Sequence, residues 1–336
     1  MIEKRNEALH INPDVFHYPT STDIAITTRG SDVYWAITAA MAFATLCFLA
    51  WSFRIPRSKR IFHYITAAIT MTAAIAYFTM ASNLGYASII QEFQRGNPKV
   101  RGVTREIFYV RYIDWVVTTP LLLLDILLTA GLPWPTILFT IFLDEVMIIT
   151  GLVGALVASS YKWGYFVFAM FALFGIAWNI LFVGARHAKS LGTEVNKTYW
   201  MCGGITMFLW FLYPIAWGLS EGGNIIAPDS EAVFYGVLDV LAKIGFGILL
   251  LNGHRNIDPA HLGLHIRDYN EQPGSFHEKN SYANGAAGSS SAPVTGAGAG
   301  TSTGYGNGFG ATGATAAHSN AAARDGGAQP VNSSVV

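Results

Sequence analysis

Residues 233–252 read VFYGVLDVLAKIGFGILLLN, an apolar stretch whose only charged residues, Asp239 and Lys243, stand at its centre. As a helix the stretch is about 30 Å long, the thickness of a bilayer's hydrocarbon core. Four residues apart, the two charges lie on one helical face. A charge at bilayer depth costs at least about 3 kcal/mol. The pair therefore indicates either a structural ion pair or a chemical role, such as a lysine that forms a Schiff base with a carbonyl ligand.

The composition is that of a membrane protein. The chain has 336 residues, of which 52% are hydrophobic and 12% charged, and its formal net charge is +0. Soluble domains carry about twice this share of charged residues. A neutral chain gives no reason to expect a nucleic-acid partner. The two cysteines, Cys47 and Cys202, stand in apolar stretches and do not form a disulfide framework.

Hydropathy predicts seven membrane spans, at about 32–53, 62–90, 105–130, 134–157, 161–185, 198–219 and 233–252. The predicted fold class is therefore an all-α integral membrane protein, a seven-transmembrane-helix bundle. Lys and Arg are concentrated after spans one and five, which predicts an external N-terminus and an internal C-terminus, although the basic loop after span two argues weakly against this.

Three segments are predicted. Residues 1–30 form a polar extracellular segment, residues 31–255 the seven-helix domain, and residues 256–336 a cytoplasmic tail. From residue 281 onward the tail consists almost entirely of small and polar residues, which cannot bury enough apolar surface to order a chain. The tail is either inert or a docking segment.

The third span, RYIDWVVTTPLLLLDILL at 111–128, concentrates polar groups on one face. Arg111, Asp114, Thr118 and Asp125 share that face, and the two carboxylates are about 16 Å apart along the helix. Arginine and threonine neighbours favour an anionic Asp114, whereas leucines around Asp125 favour its neutral form. An anionic acceptor and a neutral donor on one helix predict a proton relay. Polar packing between helices is the alternative, which explains the threonines better than the charges.

Span six carries the pattern W-x-x-Y-P-x-x-W, which places Trp210, Tyr213, Pro214 and Trp217 on one face. Aromatic residues at this spacing either pack against other helices or line a site for a bulky apolar ligand. The pattern alone leaves both interpretations open.

The sequences RYIDWVVTTPLLLLD and D-V-L-A-K resemble those of the microbial rhodopsins, specifically the fungal bacteriorhodopsin-like proton pumps, and the resemblance covers roughly residues 30–255. It implies that Lys243 carries all-trans retinal as a protonated Schiff base. Asp114 and Asp239 would be its counterions, with Asp114 the proton acceptor and Arg111 beneath them. Asp125 would be the proton donor.

The resemblance also implies supporting residues. Thr66 would bond to the donor carboxyl, and Glu221 and Glu231 of an acidic loop would form the extracellular release pair, although without the resemblance they read as solvated loop charges. The implied retinal pocket consists of Tyr77, Trp115, Thr118, Thr119, Leu122, Met147, Gly151, Phe166, Trp210, Tyr213, Pro214 and Trp217. Phe166 replaces a tryptophan of the pumps, Leu122 suggests green absorption, Asp144 matches a buried protonated position, and Glu145 has no assigned role.

The expected function is a light-driven outward proton pump rather than an enzyme. A carboxylate at position 114 argues against a chloride pump, and Asp114, Thr118 and Asp125 do not match the Asn/Asp/Gln set of sodium pumps. A slow-cycling photosensory rhodopsin that signals through a partner or the tail is the alternative, and a receptor without a chromophore is a weaker third. The expected partners are the lipid bilayer, transported protons, internal waters and a possible homo-oligomer, in the plasma membrane.

Overall fold

A computed structural model of the protein describes residues 22–91, 102–264 and 266. Seven helices among the described residues are long and apolar enough to cross a membrane. They are α1 (Thr28–Ser52), α2 (Ile61–Ala81), α3 (Val110–Thr129), α4 (Trp134–Leu156), α5 (Lys162–Ser190), α6 (Thr193–Gly222) and α7 (Pro228–Asn256). Most of the predicted N-terminal segment, residues 1–21, and nearly all of the predicted tail, residues 267–336, lie outside the described residues.

The helices form a closed ring in chain order. Each helix packs against the next, α7 packs against α1, and α3 also contacts α6 across the interior. Three of the helices contain a stretch of π-helix: Asn179–Gly184 in α5, Gly218–Gly222 at the end of α6, and Val240–Gly245 in α7. The last stretch contains Lys243, and π-helical turns are frequent at functional sites because they displace side chains from the regular helical register.

Charges lie inside the bundle and large apolar side chains lie outside. Arg111, Asp125 and Lys243 are at most 2% exposed, whereas Phe43 and Phe171 are 69% and 71% exposed. A water-soluble protein has the opposite arrangement, and an apolar outer surface of this extent requires lipid around it. The predicted seven-helix membrane fold is confirmed.

The predicted end of span two and the predicted start of span three are wrong. Helix α2 ends at Ala81, and residues Ala87–Ile90 (β1) pair in antiparallel register with Thr104–Ile107 (β2). Asn83 and Gly85 adopt left-handed backbone conformations, with φ of 56° and 73°, which stop the helix. Hydropathy could not separate the apolar strand from the apolar helix before it.

The hairpin of β1 and β2 holds the chain that enters α1. The backbone N–H of Ile24 donates to the carbonyl of Thr104 at 2.9 Å, and that of Glu106 donates to the carbonyl of Ile24 at 3.0 Å. The carboxylate of Glu106 then accepts from the backbone N–H of Ile26 at 2.7 Å. The hairpin therefore closes one end of the bundle and places Arg105 and Glu106, two buried charged residues, near its interior.

Burial raises the pKa of the Glu106 carboxyl from its ordinary value of 4.5 to about 7, against the opposing effect of the Ile26 N–H. The folded protein therefore binds a proton more tightly than the unfolded chain, and stability is lost as the pH rises from about 4.5 to about 7. We expect Glu106→Gln to abolish this loss, because glutamine keeps an acceptor oxygen for Ile26 without a buried charge. The free energy of unfolding that the wild type loses over this pH range is at most about 3 kcal/mol. Thermal unfolding between pH 5 and pH 8 measures it.

The matched control is Glu194→Gln, since Glu194 is an exposed glutamate in the first turn of α6. The control is expected to leave the pH dependence as it is in the wild type. Equal pH dependence in Glu106→Gln and the wild type would show that this carboxyl does not titrate in the folded protein.

Candidate functional site

Lys243 lies at the centre of the bundle between two carboxylates. Its Nζ donates to Oδ2 of Asp114 at 2.7 Å and lies 2.9 Å from Oδ2 of Asp239. All three side chains are at most 2% exposed. The i, i+4 pair predicted within α7 is present, and α3 supplies the second carboxylate. Both negative charges are thus held against one ammonium group in surroundings that water does not reach.

The two carboxylates differ in the hydrogen bonds that stabilise their charge. Asp239 also accepts from the hydroxyls of Tyr77 at 2.8 Å and Tyr213 at 2.5 Å. Asp114 accepts only from Lys243 within the described residues, and its Oδ1 has no hydrogen-bond partner. Hydrogen bonds to a carboxylate favour its charged form. Asp239 therefore accepts hydrogen bonds from two tyrosines that Asp114 lacks.

The neighbours expected to support the Asp114 anion make other contacts. The hydroxyl of Thr118 donates to the backbone carbonyl of Asp114 at 2.9 Å. Arg111 points away from the lysine: its Nη1 lies 2.6 Å from Oε1 of Glu231, and its Nη2 donates to the hydroxyl of Tyr34 at 2.9 Å. The sequence placed these residues on the correct face, but it did not identify the groups that they bind.

Glu221 and Glu231 are not solvated loop charges, because both lie inside helices and are at most 1% exposed. Glu231 accepts from two guanidinium groups, Arg111 at 2.6 Å and Arg105 at 2.6 Å. Arg105, from β2, also donates to Oδ1 of Asn224 at 2.5 Å. No hydrogen bond joins the two glutamates among the described residues, and both contact Nη1 of Arg111 instead.

Glu221 has weaker cationic support than Glu231. Nη1 of Arg111 is 3.3 Å from its Oε1, and the other donors are the neutral hydroxyls of Tyr112 and Tyr235, each at 3.1 Å. Of the two buried glutamates, Glu221 is therefore the one that more readily holds a proton.

Asp125 lies in the half of the bundle that is away from the hairpin and is 0% exposed. Neither of its carboxyl oxygens has a hydrogen-bond partner among the described residues. Thr66 of α2 lies beside the carboxyl, as expected, but its hydroxyl donates to the carbonyl of Phe62 at 2.7 Å. A buried carboxyl without a partner is rare, because a buried polar group without a hydrogen bond costs about 1–3 kcal/mol.

A cavity extends from Lys243 between the helices; its empty space, part of which is open to solvent, is about 770 Å³. The expected pocket residues that line it are Trp115, Thr119, Leu122, Met147, Gly151, Phe166, Trp210, Tyr213, Pro214 and Trp217. The residues that sequence reasoning missed are Tyr112, Ile148, Ala169, Met170, Leu173, Tyr235 and Ala242. Tyr112, Tyr235 and Ala242 lie within the two stretches that the sequence analysis quotes, and Ile148 is next to Met147. No sequence pattern indicated the other three.

The lining residues fit a largely apolar molecule that carries a carbonyl group. Most of them are aromatic or aliphatic, and the charged ones are Lys243 and Asp239. Phe166, which replaces the expected tryptophan, stacks on Trp217 with ring centroids 5.2 Å apart and thus still closes the wall. Of the other two expected residues, Tyr77 bonds to Asp239 and Thr118 to a backbone carbonyl, so both support the lysine end of the cavity.

Asp144 is a further buried carboxyl, and unlike Asp125 it has a side-chain partner. Its Oδ2 lies 2.7 Å from the hydroxyl of Thr119, which is also 2.8 Å from the carbonyl of Trp115. One hydroxyl proton cannot serve both acceptors. Both contacts are satisfied when Asp144 is protonated and donates to Thr119. The neighbouring Glu145 is half-buried, and nothing in the structure assigns it a role.

The chain is similar in sequence and in structure to known proteins. Residues 30–257 match the family described as bacteriorhodopsin-like protein. The chain is 60% identical to the opsin-like protein carO of Fusarium fujikuroi over 282 residues, which cover 84% of this chain and 92% of the relative. Among solved structures, the light-driven proton pump rhodopsin of Coccomyxa subellipsoidea is 41% identical, with a TM-score of 0.65 over 69% of this chain and 99% of that one. A light-driven proton pump from Leptosphaeria maculans is 37% identical, with a TM-score of 0.66 over 70% of this chain and 100% of the pump's chain.

The charge arrangement predicts the effect of removing the lysine. Lys243→Met leaves two buried carboxylates without a cation, which is expected to destabilise the ligand-free protein by about 3–5 kcal/mol. The double variant Lys243→Met/Asp114→Asn is expected to recover part of this loss, since one of the two charges is then absent. Thermal unfolding of protein produced without ligand measures both. The control is Lys189→Met at an exposed lysine, and equal stability of Lys243→Met and this control would rule out the buried ion pair.

Proposed function

This chain belongs to the bacteriorhodopsin-like family of membrane proteins, and from that premise we propose that it is a light-driven outward proton pump that binds all-trans retinal at Lys243. Members of the family bind retinal through a lysine Schiff base. The observation that carries the proposal is the position of Lys243 Nζ, 2.7 Å from one carboxylate and on a different level of the bundle from the unpartnered carboxyl of Asp125.

When bound, retinal supplies the absorption of visible light and an isomerisation that moves the lysine nitrogen and changes its proton affinity. The chain supplies everything else. The aromatic walls of the cavity, among them Trp115, Trp210 and Trp217, exclude water and hold an apolar molecule in one orientation. Asp239, fixed by two tyrosine hydroxyls, keeps a negative charge near Nζ throughout.

Asp114 is the proposed proton acceptor. Its Oδ2 already lies within hydrogen-bonding distance of Nζ, so a proton can pass without movement of the backbone. The transfer neutralises both partners, which removes two charges from a medium in which they are costly. Asp239 is less suited to this role because its additional hydrogen bonds stabilise its anion.

Release on the outer side is assigned to Glu221 and not to a proton shared between Glu221 and Glu231. Glu231 is held as an anion between Arg105 and Arg111, whereas Glu221 is bonded chiefly to tyrosine hydroxyls. Loss of the negative charge at Asp114 changes the field on Arg111, the cation that contacts both glutamates. A small shift of this guanidinium toward Glu221 would favour release of the proton held there.

The inward side is assigned to the half that contains Asp125. The basic connection between α1 and α2, which includes Arg57, Lys59 and Arg60, lies at the same end of the bundle. Positive charge is enriched in cytoplasmic loops. The neutral carboxyl of Asp125 thus faces the cytoplasmic half and returns a proton to Lys243 after each transfer. In a plasma membrane, this direction acidifies the medium.

A light sensor is the alternative function. The observation in its favour is that the relative at 60% identity is named an opsin-like protein and not a pump. The presence of a proton-donor carboxyl at Asp125 favours the pump, because a sensor does not require rapid return of the proton. A carboxylate at Asp114, where a chloride pump would hold its anion, favours proton transport in the same way.

Light-driven pumping is tested in cells that express the full chain with added retinal. Illumination is expected to acidify the medium, and a protonophore is expected to abolish the signal. Asp114→Asn is expected to shift the visible band to longer wavelength and reduce the signal to less than about a tenth, because the counterion charge and the acceptor are both lost. Lys243→Ala is the control and is expected to be colourless. A coloured wild type without a pH change would assign the chain to the sensors.

The role of Asp125 is tested by the kinetics of recovery after a flash. Asp125→Asn is expected to slow recovery of the dark band by about 100-fold, because no acid remains to supply the proton. Added azide, a small proton carrier, is expected to restore much of the rate. Asp144→Asn is the matched control, a buried carboxyl that already has a hydrogen-bond partner, and it is expected to leave recovery largely unchanged. Normal recovery in Asp125→Asn would place the donor elsewhere.

A further inference from the structure

The proposed pump leaves one proton transfer without a carrier. Asp125 is 0% exposed, so after it has given up its proton the replacement must cross a layer of protein from the cytoplasmic side. Carboxyls and imidazoles are the usual proton carriers at neutral pH. His254, in the last turn of α7, is a candidate carrier. Its side chain is half-buried, so the imidazole is accessible from the surface and also contacts α3, the helix that carries Asp125.

His254 is linked to α3 through Thr129. Its Nε2 lies 3.1 Å from the hydroxyl of Thr129, and that hydroxyl is 2.7 Å from the backbone carbonyl of Asp125. Thr129 is four residues after Asp125, so the Thr129 hydroxyl and the Asp125 carboxyl lie on one face of α3, one turn apart. The ring of Phe62 packs on the imidazole with centroids 4.0 Å apart and fixes its plane.

The hydrogen bonds around His254 accommodate both of its protonation states. Nδ1 lies 2.9 Å from the carbonyl of Leu250, which can only accept, so Nδ1 carries a proton in either state. In the neutral ring, Nε2 accepts from the hydroxyl of Thr129. In the charged ring, Nε2–H donates to that hydroxyl oxygen, and the hydroxyl proton turns to the carbonyl of Asp125. A proton can therefore enter and leave Nε2 without leaving a polar group unpaired.

From this geometry we infer that His254 collects protons from the cytoplasmic side and passes them to Asp125, an assignment that rests on the proposed function. A hydronium ion from the cytoplasmic side gives up one O–H bond and becomes water, while an N–H bond forms at Nε2 and makes the ring cationic. When Asp125 is an anion, this N–H bond breaks, an O–H bond forms on the carboxylate, and both groups become neutral. The transfer requires internal water across the helical turn between the Thr129 hydroxyl and the carboxyl.

Other titratable and charged groups lie around the relay and share its electrostatic field. They are His63 and Arg60 of α2, Asp125 of α3, Cys202 of α6, Arg255 next in the chain, and the ion pair of Lys59 with Asp258. His63 is buried, and neither of its ring nitrogens has a hydrogen-bond partner among the described residues. A second imidazole thus lies near His254 but lacks the link to α3.

The experiment measures flash-induced recovery and proton uptake, with a pH-indicating dye, in the full chain with retinal. His254→Gln is expected to slow both by about tenfold or more, since glutamine keeps hydrogen bonds but cannot carry a proton. Thr129→Val, which retains the imidazole and removes its link to α3, is also expected to slow recovery and proton uptake. The control is His261→Gln, at an exposed histidine on the same side that bonds to the carbonyl of Leu191.

Two readouts distinguish proton transfer from a structural role. Without His254, Asp125 takes protons directly from the medium, so the recovery rate is expected to fall about tenfold for each unit of rising pH. In His254→Ala, added imidazole is expected to restore recovery in a saturable manner. An unchanged dark absorption band shows that each variant is folded, and Thr129→Val decides the question if His254→Gln has no band.

Recovery in both His254→Gln and Thr129→Val within about twofold of the wild type, while the wild type still acidifies the medium, would overturn the assignment and leave the pump intact. Slowing that neither imidazole nor pH affects would reduce His254 to a packing residue. A wild type that is coloured but produces no pH change would overturn the pump and this inference together.

Discussion

An ammonium group in the middle of a membrane helix is tolerated only when anions neutralise it, and here two carboxylates face one lysine. Lys243 lies 2.7 Å from Asp114 and 2.9 Å from Asp239, with all three groups shielded from water. The low dielectric makes their attraction large and makes the loss of any one charge costly. The Lys243–Asp114 ion pair joins α7 to α3, and the two tyrosine bonds to Asp239 help to hold the three charged groups in place.

The two halves of the bundle differ because of how their charges are paired. Toward the hairpin, two arginines pair with two glutamates: Arg111 contacts Glu221 and Glu231, and Arg105 contacts Glu231. Toward the other end, Asp125 has no hydrogen-bond partner among the described residues. A proton on Asp125 therefore has no nearby acceptor in the resting protein. A proton that reaches the region of Arg111 has two glutamate carboxylates as acceptors. This difference gives the proposed transport its direction.

Hydropathy was sufficient to predict the seven spans. Helical periodicity was sufficient to predict the polar face of α3, because residues three, four and seven apart on a helix share a face. It was not sufficient for contacts between distant segments. Arg105 binds Glu231, which is 126 positions away in the sequence. No local sequence pattern predicts that a strand will place this cation beside α7. The hairpin was missed for the same reason, and its apolar residues were assigned to a helix. The burial of Glu221 depends on a π-helical extension of α6 that hydropathy cannot detect.

Burial alone does not identify the carboxyl that carries a proton, as Asp144 and Asp125 show. Both are 0% exposed and both lie among apolar residues. Asp144 shares a hydrogen bond with Thr119 at 2.7 Å, so its proton has a fixed acceptor and its removal would break that bond. The carboxyl of Asp125 makes no such contact among the described residues, although the Thr66 hydroxyl, which donates to the carbonyl of Phe62, lies beside it. The free energy of deprotonating Asp125 is therefore set mainly by desolvation, which a few water molecules or an approaching imidazolium can reverse.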